Sequence, residues 1–356
     1  MRNLWRKYGV EEYVEKAIRI LYCCALLLGS ILIILSFFRE PFPQSESFLV
    51  FYADSIFRES GNWVAYILAF VVIGGTIYSV VGRAKRRPDD IRLEPPNVTR
   101  EFSAKFSLVH SRMNEILKLG IPILFNLILF TYVVGHINAI NRTRLVDAKL
   151  ASIDHYLTGT YPFISLEMLR FPDWFVETII LSFVNLPFFL AFGAAVTYRK
   201  SRLVFSKFAI AFFTTIVLML PVWLAVPVMS PQDRFIDNVY RLIEPPGVKE
   251  AIGNYAPTAP VKAFLGQMRR SKEGLAIMPT STFPSSHAAW ATIVMVYLFE
   301  ASFAAGILTA PFLVLSTFGT FYLAQHYFVD APAGVFVGLL SVLISSLLFS
   351  KWKGES

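Results

Sequence analysis

Two short segments carry residues whose types and spacing suit chemistry on an anion. The first is Thr282-Phe283-Pro284-Ser285-Ser286-His287-Ala288, directly ahead of an apolar run. A serine in that position is a natural helix N-cap. The free N–H groups and dipole of the helix it opens form an anion cradle. His287 then falls in the first turn, within reach of an anion held there. The second segment is Gln325-His326-Tyr327-Phe328-Val329-Asp330. His326 and Asp330, four residues apart, share one face if the segment is helical. A carboxylate on one imidazole nitrogen fixes the tautomer and leaves the other nitrogen as a nucleophile or base. Taken singly, Ser285 and Ser286 read as a cap, and His326 with Asp330 as an interfacial hydrogen bond. Together they make two imidazoles, a carboxylate and an anion cradle.

The elements that must position these groups are membrane helices. The chain has 356 residues, 55% hydrophobic and only 16% charged, with mean hydropathy +0.54. Charge is well below the soluble norm of about a quarter, which argues against a soluble enzyme, a disordered chain or a coiled coil. The two cysteines, Cys23 and Cys24, are adjacent; they exclude a disulfide framework and a cysteine metal site. Glu11, Glu12 and Glu15 interrupt the N-terminus, which reads as leading into a first transmembrane helix rather than a cleaved signal.

Runs long enough to cross about 30 Å of hydrocarbon are Ile18–Phe38, Trp63–Val81, Ile121–Ile137, Trp174–Val196, Phe208–Val228, Ala288–Ser302, Ala305–Ala324 and Ala333–Phe349. The fold class expected is all-α: a polytopic transmembrane bundle of about eight spans. Its expected organisation is two N-terminal helices and a basic loop (1–118), a membrane core (119–350) and a tail (351–356). Pro122, Pro187, Pro221 and Pro311 read as membrane-helix kinks. Asn126 and Asn185 read as interhelical hydrogen-bonding groups.

Lys and Arg number 33 against 25 Asp and Glu, a surplus of eight. Arg2, Arg6, Lys7 and Lys16, the dense 83–118 loop, the Arg199–Lys207 segment and Lys351 with Lys353 all fall on one side of an eight-span bundle. The positive-inside rule makes that side cytoplasmic. The Arg83–Arg87 run reads as a lipid-facing basic loop and not as a nucleic-acid site. Four of the five histidines, His136, His155, His287 and His326 (all but His110), then lie at the outer edge, with Asp154 and Asp330. A second basic set, Arg234, Arg241, Lys249, Lys262, Arg269, Arg270 and Lys272, lies on that outer side, where orientation does not explain it. The sequons at Asn97 and Asn141 are of a kind common by chance.

The pair P-S-x-H-A and H-Y-x-x-D resembles the type 2 phosphatidic acid phosphatase superfamily of membrane phosphatases and phosphotransferases. Pro284-Ser285-Ser286-His287-Ala288 with His326-Tyr327-Phe328-Val329-Asp330 looks most like its inositol phosphorylceramide synthase (inositolphosphotransferase) branch. Ile153-Asp154-His155-Tyr156-Leu157-Thr158-Gly159 is similar to that branch's D-x-x-L-x-G stretch. The resemblance covers roughly residues 120–350 and implies a six-helix superfamily core preceded by two extra helices. It also implies a phosphohistidine mechanism, without metal or cofactor, at the extracytoplasmic face. His326 would attack phosphorus, Asp330 would orient it, and His287 would protonate the departing oxygen. Ser285, Ser286 and Asp154 would help bind the substrate.

The wider superfamily carries S-R seven and six residues before the nucleophilic histidine; this chain has Gly319 and Thr320 there, and no K-x-x-x-x-x-x-R-P ahead of Pro284. Replacement cations are expected from the outer basic set: first Arg234, then Arg269, Arg270 and Lys272. The implied donor is a lipid phosphate or phospholipid, and the acceptor an alcohol or water. Transfer and hydrolysis both remain open, as does a transporter or scaffold that keeps the histidines as interfacial or proton-relay groups.

Overall fold

The computed structural model describes residues 10–37, 98–243, 246–273, 275 and 277–350, without the side chains of 10–12, 98–119 and 246. The described residues form helices, with no strand among them. In order these are α1 (Val10–Phe37), α2 (Val98–Asn141), α3 (Asp147–Thr158), α4 (Asp173–Val184), α5 (Leu186–Lys200), α6 (Arg202–Ala225), α7 (Pro246–Gly253), α8 (Ala259–Ser271), α9 (Ser286–Ala301), α10 (Phe303–Tyr322) and α11 (Asp330–Ser350). Single turns at Pro162–Ser165 and Glu167–Leu169, and a π-helical turn at Gln232–Ile236, lie between them.

Among the described residues five helices are long and apolar enough to cross a membrane, and six if the bent pair α4–α5 is one span. The chain is an integral membrane protein with an all-α membrane bundle. The first, third, fifth, seventh and eighth expected spans fall in α1, α2, α6, α10 and α11. The second expected span, Trp63–Val81, lies outside the described residues. The sixth is α9, whose 16 residues reach about 24 Å, less than the hydrocarbon thickness. It can be short because it is the hub of the bundle, packed against α5, α6, α10 and α11. A helix apolar all round belongs inside, and Ala288, Ala289, Ala291, Ile293, Val294, Tyr297 and Leu298 are all buried.

The fourth expected span is broken. α4 and α5 meet at a bend of 58°, and Pro187 sits at the start of α5 rather than within a continuous helix. Asn185 does not reach a neighbouring helix either. Its Nδ2 donates to the Leu181 carbonyl of its own chain segment at 2.8 Å, a carbonyl that also accepts the Asn185 N–H at 3.0 Å. Asn126 does bridge helices, donating from α2 to the Leu21 carbonyl of α1 at 2.9 Å.

Above the bundle, backbone segments are stitched into a layer. The only β-type bridge among the described residues pairs Val228 with Ser281. Val228 N–H donates to Thr280 and Thr282 N–H to Val228, while Asn138 Oδ1 on α2 accepts both the N–H and the hydroxyl of Thr280. These bonds deliver the chain to Ser285, the cap of α9. Asn141 is buried, with Nδ2 donating to the Trp223 carbonyl at 2.8 Å, so its sequon is closed in the folded chain.

α11 reaches α9 through small residues four apart, the pattern that lets membrane helices approach closely. A Cβ on Gly334 would collide with the Ser285 carbonyl, and one on Gly338 would lie 2.7 Å from the Ala289 carbonyl. Overpacking of this kind costs about 1–3 kcal/mol. Gly334→Val is therefore expected to lower the thermal midpoint of the detergent-solubilised protein. Gly29→Ala, with nothing within 4 Å of its Cβ, should leave it unchanged or raise it.

Candidate active site

The short segments meet at one end of the bundle. His326 lies in the Leu323–Val329 turn between α10 and α11. Its Nδ1 faces the Thr282 carbonyl at 3.0 Å and Asp330 Oδ2 at 3.2 Å. A carbonyl oxygen only accepts, so Nδ1 carries the hydrogen and Nε2 holds a lone pair. Ser285 Oγ is 3.3 Å from that Nε2 and also accepts Ala288 N–H at 3.2 Å. The serine hydroxyl hydrogen thus points at the His326 lone pair. Burial pushes the His326 pKa down to about 4; the Thr282 bond opposes that and the Lys272 charge adds to it. The imidazole is neutral at neutral pH, so the Asp330 contact is a hydrogen bond rather than an ion pair.

Asp330 is fully buried and organises the turn. Its Oδ2 also accepts Tyr327 N–H at 3.0 Å, and its carbonyl accepts Ser285 N–H at 3.1 Å. The same residue therefore orients His326 and ties down the N-cap opposite. Behind the turn, Asp154 accepts Phe328 N–H at 2.7 Å and Val329 N–H at 3.0 Å, one on each oxygen. It is placed as a brace of the His326 turn, not as a ligand of an anion in the cradle. Burial raises its pKa to about 6. Asp147, at the start of α3, accepts Met229 N–H at 2.8 Å and the Tyr327 hydroxyl at 3.3 Å; burial raises it to about 6 as well. Gln325 Nε2 donates to Gln232 Oε1 at 2.8 Å, joining the turn to the π-helical segment.

His287 faces His326 from α9. Its Nε2 lies 2.9 Å from the Phe183 carbonyl, so Nε2 carries the hydrogen and Nδ1 is free. The Phe183 ring stacks on the imidazole, centroids 4.2 Å apart and planes at 14°. At the first turn of α9 the N–H groups of Ser286 and His287 are left over by helix geometry, since Ser285 caps Ala288.

The cations of the second basic set divide. Lys272 Nζ is held by both oxygens of Asp233, at 2.8 and 2.7 Å, in a buried pair. Arg269 pairs with Asp237, and Arg270 lies on the exposed side of α8. Burial explains the pairing, because an unneutralised Lys272 would be costly there. Arg234 differs. It is 6% exposed, with Nη2 donating to the Ile243 carbonyl at 3.0 Å and its guanidinium 4.8 Å from the Phe235 ring centroid. Its Nη1 is buried without a partner, alone in that respect among the cationic nitrogens of the described residues. A cavity of about 480 Å³, lined by Asp233, Asp237, Arg269, Lys272 and Glu273 with apolar Ile236, Val239, Leu275 and Met278, adjoins Lys272.

The other histidines stand apart. His136 contacts the Tyr132 carbonyl of its own helix, His155 stacks on Tyr161, and the His110 side chain lies outside the described residues. Gly319 and Thr320 supply no cation. A Cβ on Gly319 would lie 3.1 Å from Ile179 Cγ2, so the glycine serves the contact of α10 with α4. The Thr320 carbonyl accepts Gln325 and His326 N–H groups.

The family profile of the PAP2 superfamily matches residues 150–344, a span that contains His287, His326, Asp330, Asp154 and Arg234. No curated protein and no solved structure matches the chain. With more than half of its length matched, including both histidine segments, the chain belongs to the PAP2 superfamily.

Proposed function

We propose that the protein is a membrane phosphotransferase that moves a phospho-headgroup, of the inositol phosphate kind, between lipid alcohols through a phosphohistidine. The observation that carries this reading is the lone pair on His326 Nε2, fixed by a carbonyl and a carboxylate on Nδ1. Nε2 attacks phosphorus as the P–O bond to the leaving alcohol breaks, and His287 gives that oxygen a proton. The acceptor then attacks the phosphohistidine, the P–N bond breaks, and His287 takes the acceptor's proton. With a lipid phosphate monoester as donor and water as acceptor the same steps release free phosphate and give a lipid phosphate phosphatase, the second reading. The Ser286 and His287 N–H groups, the Ser285 hydroxyl and Arg234 Nη1 are the donors suited to the phosphoryl oxygens. Lys272 contributes its field from within the Asp233 pair.

The face of the membrane follows from charge. Arg199, Lys200 and Lys207 sit at the junction of α5 and α6, and Lys207 bonds Glu300 at the far end of α9 from His287. With that basic junction inside, the site faces the extracytoplasmic side and both termini lie in the cytoplasm.

Purified protein given phosphatidylinositol, phosphatidic acid or a polyprenyl phosphate, with and without long-chain alcohol acceptors, tests the reading. New phosphodiester lipid from phosphatidylinositol is expected only with acceptor; free phosphate released from the monoester lipids at the same rate without one selects the phosphatase, and neither product with any of these lipids contradicts both. His326→Ala should abolish turnover, whereas a transporter or scaffold would keep its function. Arg234→Gln should lower kcat/KM by about 100-fold, as loss of an oriented donor to a transition-state oxyanion does. The neutral form of His326 is the nucleophile and its pKa is lowered to about 4. Single-turnover phosphoenzyme formation from an aryl phosphate should therefore hold its rate from pH 7 to about 5 and fall below about 4; a midpoint near the unperturbed value of about 6.5 would contradict the burial argument.

A further inference from the structure

In an α-helix each carbonyl accepts from the N–H four residues on. The Phe183 carbonyl therefore belongs to residue 187, and residue 187 is proline, which has no N–H to give. The helix breaks there, α4 and α5 meeting at 58°. A carbonyl freed inside a membrane helix has to find another donor. Here the donor is His287 Nε2, at 2.9 Å. The carbonyl is held in place from behind, because Gly319 lets α10 approach Ile179 Cγ2 and Phe183 Cβ, which a Cβ would meet at 3.1 and 3.2 Å. Stacking of the Phe183 ring on the imidazole fixes the ring plane from the same residue.

We propose that Pro187 is a positioning residue for proton transfer: by withholding an amide hydrogen from the Phe183 carbonyl, it makes that carbonyl hold His287 Nε2–H and so aims Nδ1 at the reacting oxygens. The inference rests on the reading of His287 as the proton donor to the leaving group. In the acid form both ring nitrogens carry hydrogen. As the P–O bond breaks, the Nδ1 proton passes to the leaving oxygen while the Nε2 proton stays on the Phe183 carbonyl. The neutral ring then receives, at Nδ1, the proton of the attacking alcohol or water. The Nδ1–H tautomer would set the Nε2 lone pair against the carbonyl lone pairs, so it is disfavoured.

Pro187→Ala restores the competing N–H. The full-length protein and this variant are compared on a long-chain alkyl phosphate, whose leaving group needs a proton, and on 4-nitrophenyl phosphate, whose leaving group departs as a stable anion. In single-turnover phosphoenzyme formation, the step before His287 acts as a base, Pro187→Ala should lose about 100-fold on the alkyl phosphate, the lower range for general acid catalysis, and less than about 3-fold on the aryl phosphate. Pro311→Ala, a proline on the exposed side of α10, should change neither. Equal loss on both substrates, or none on either, overturns the proposal. A second measurement needs no turnover: ring ¹⁵N shifts of His287 in ¹⁵N-histidine-labelled protein, assigned by the signal missing from His287→Gln. The Nε2–H tautomer is expected; Nδ1–H overturns the proposal even if Pro187→Ala fails to fold. Should the wild-type protein turn over neither substrate, the enzymatic reading fails, and the ¹⁵N result still decides whether the Phe183 carbonyl holds His287 Nε2–H.

Discussion

A carbonyl oxygen accepts hydrogen bonds and never donates them, and two such oxygens define the chemistry open to this site. The Thr282 carbonyl holds Nδ1–H of His326, and the Phe183 carbonyl holds Nε2–H of His287. Each bond removes one of the two tautomers of a neutral imidazole. The nitrogens left over are Nε2 on His326 and Nδ1 on His287, and the two rings interact electrostatically. Most of the remaining architecture serves to place those two carbonyls.

The Thr282 carbonyl is placed by the layer above the bundle. Val228 and Asn138 pin the Thr280–Thr282 stretch, and Asp330 ties Ser285 to the opposite turn. Asp154 takes two N–H groups of that turn, so α3, distant in sequence, sets where His326 points. Close contact of α11 with α9 at Gly334 brings Asp330 and Ser285 together. The Phe183 carbonyl is placed by a broken helix and by the glycine that lets α10 lie against it. The superfamily's usual serine and arginine positions are occupied by Gly319 and Thr320, so the cation nearest to free duty is Arg234 from another segment.

Much of this was legible in the sequence. His287, His326, Asp330 and Ser285 were readable from spacing and capping chemistry, and the structure brings them together. The apolar runs located the helices because membrane spans are set by length and hydropathy. Other parts were not readable for physical reasons. Backbone carbonyls have no letter of their own, so the partners of both imidazoles depended on the folded path. Asp154 is a carboxylate like any other in sequence, and its role as a brace follows only from where Phe328 and Val329 turn. Lys272 and Arg269 are cations in sequence, and only the folded path sets Asp233 and Asp237 beside them. Asn185 and Pro187 marked the helix break together, but each read singly as an ordinary feature of a membrane helix. Gly334-x-x-x-Gly338 is a plain packing pattern in sequence, and its part in setting Asp330 beside Ser285 depends on which helix lies against it.

The basic surplus likewise divides by position. In the second basic set Lys272 and Arg269 are paired with Asp233 and Asp237, while Arg234 keeps a buried nitrogen unpaired. The central claim concerns one atom, His326 Nε2, and the position of a covalent phosphate tests it most directly. Protein quenched during turnover of a labelled lipid phosphate should carry an acid-labile phosphate on His326, linked through Nε2. Phosphate linked through Nδ1, or carried by another residue, would contradict the account.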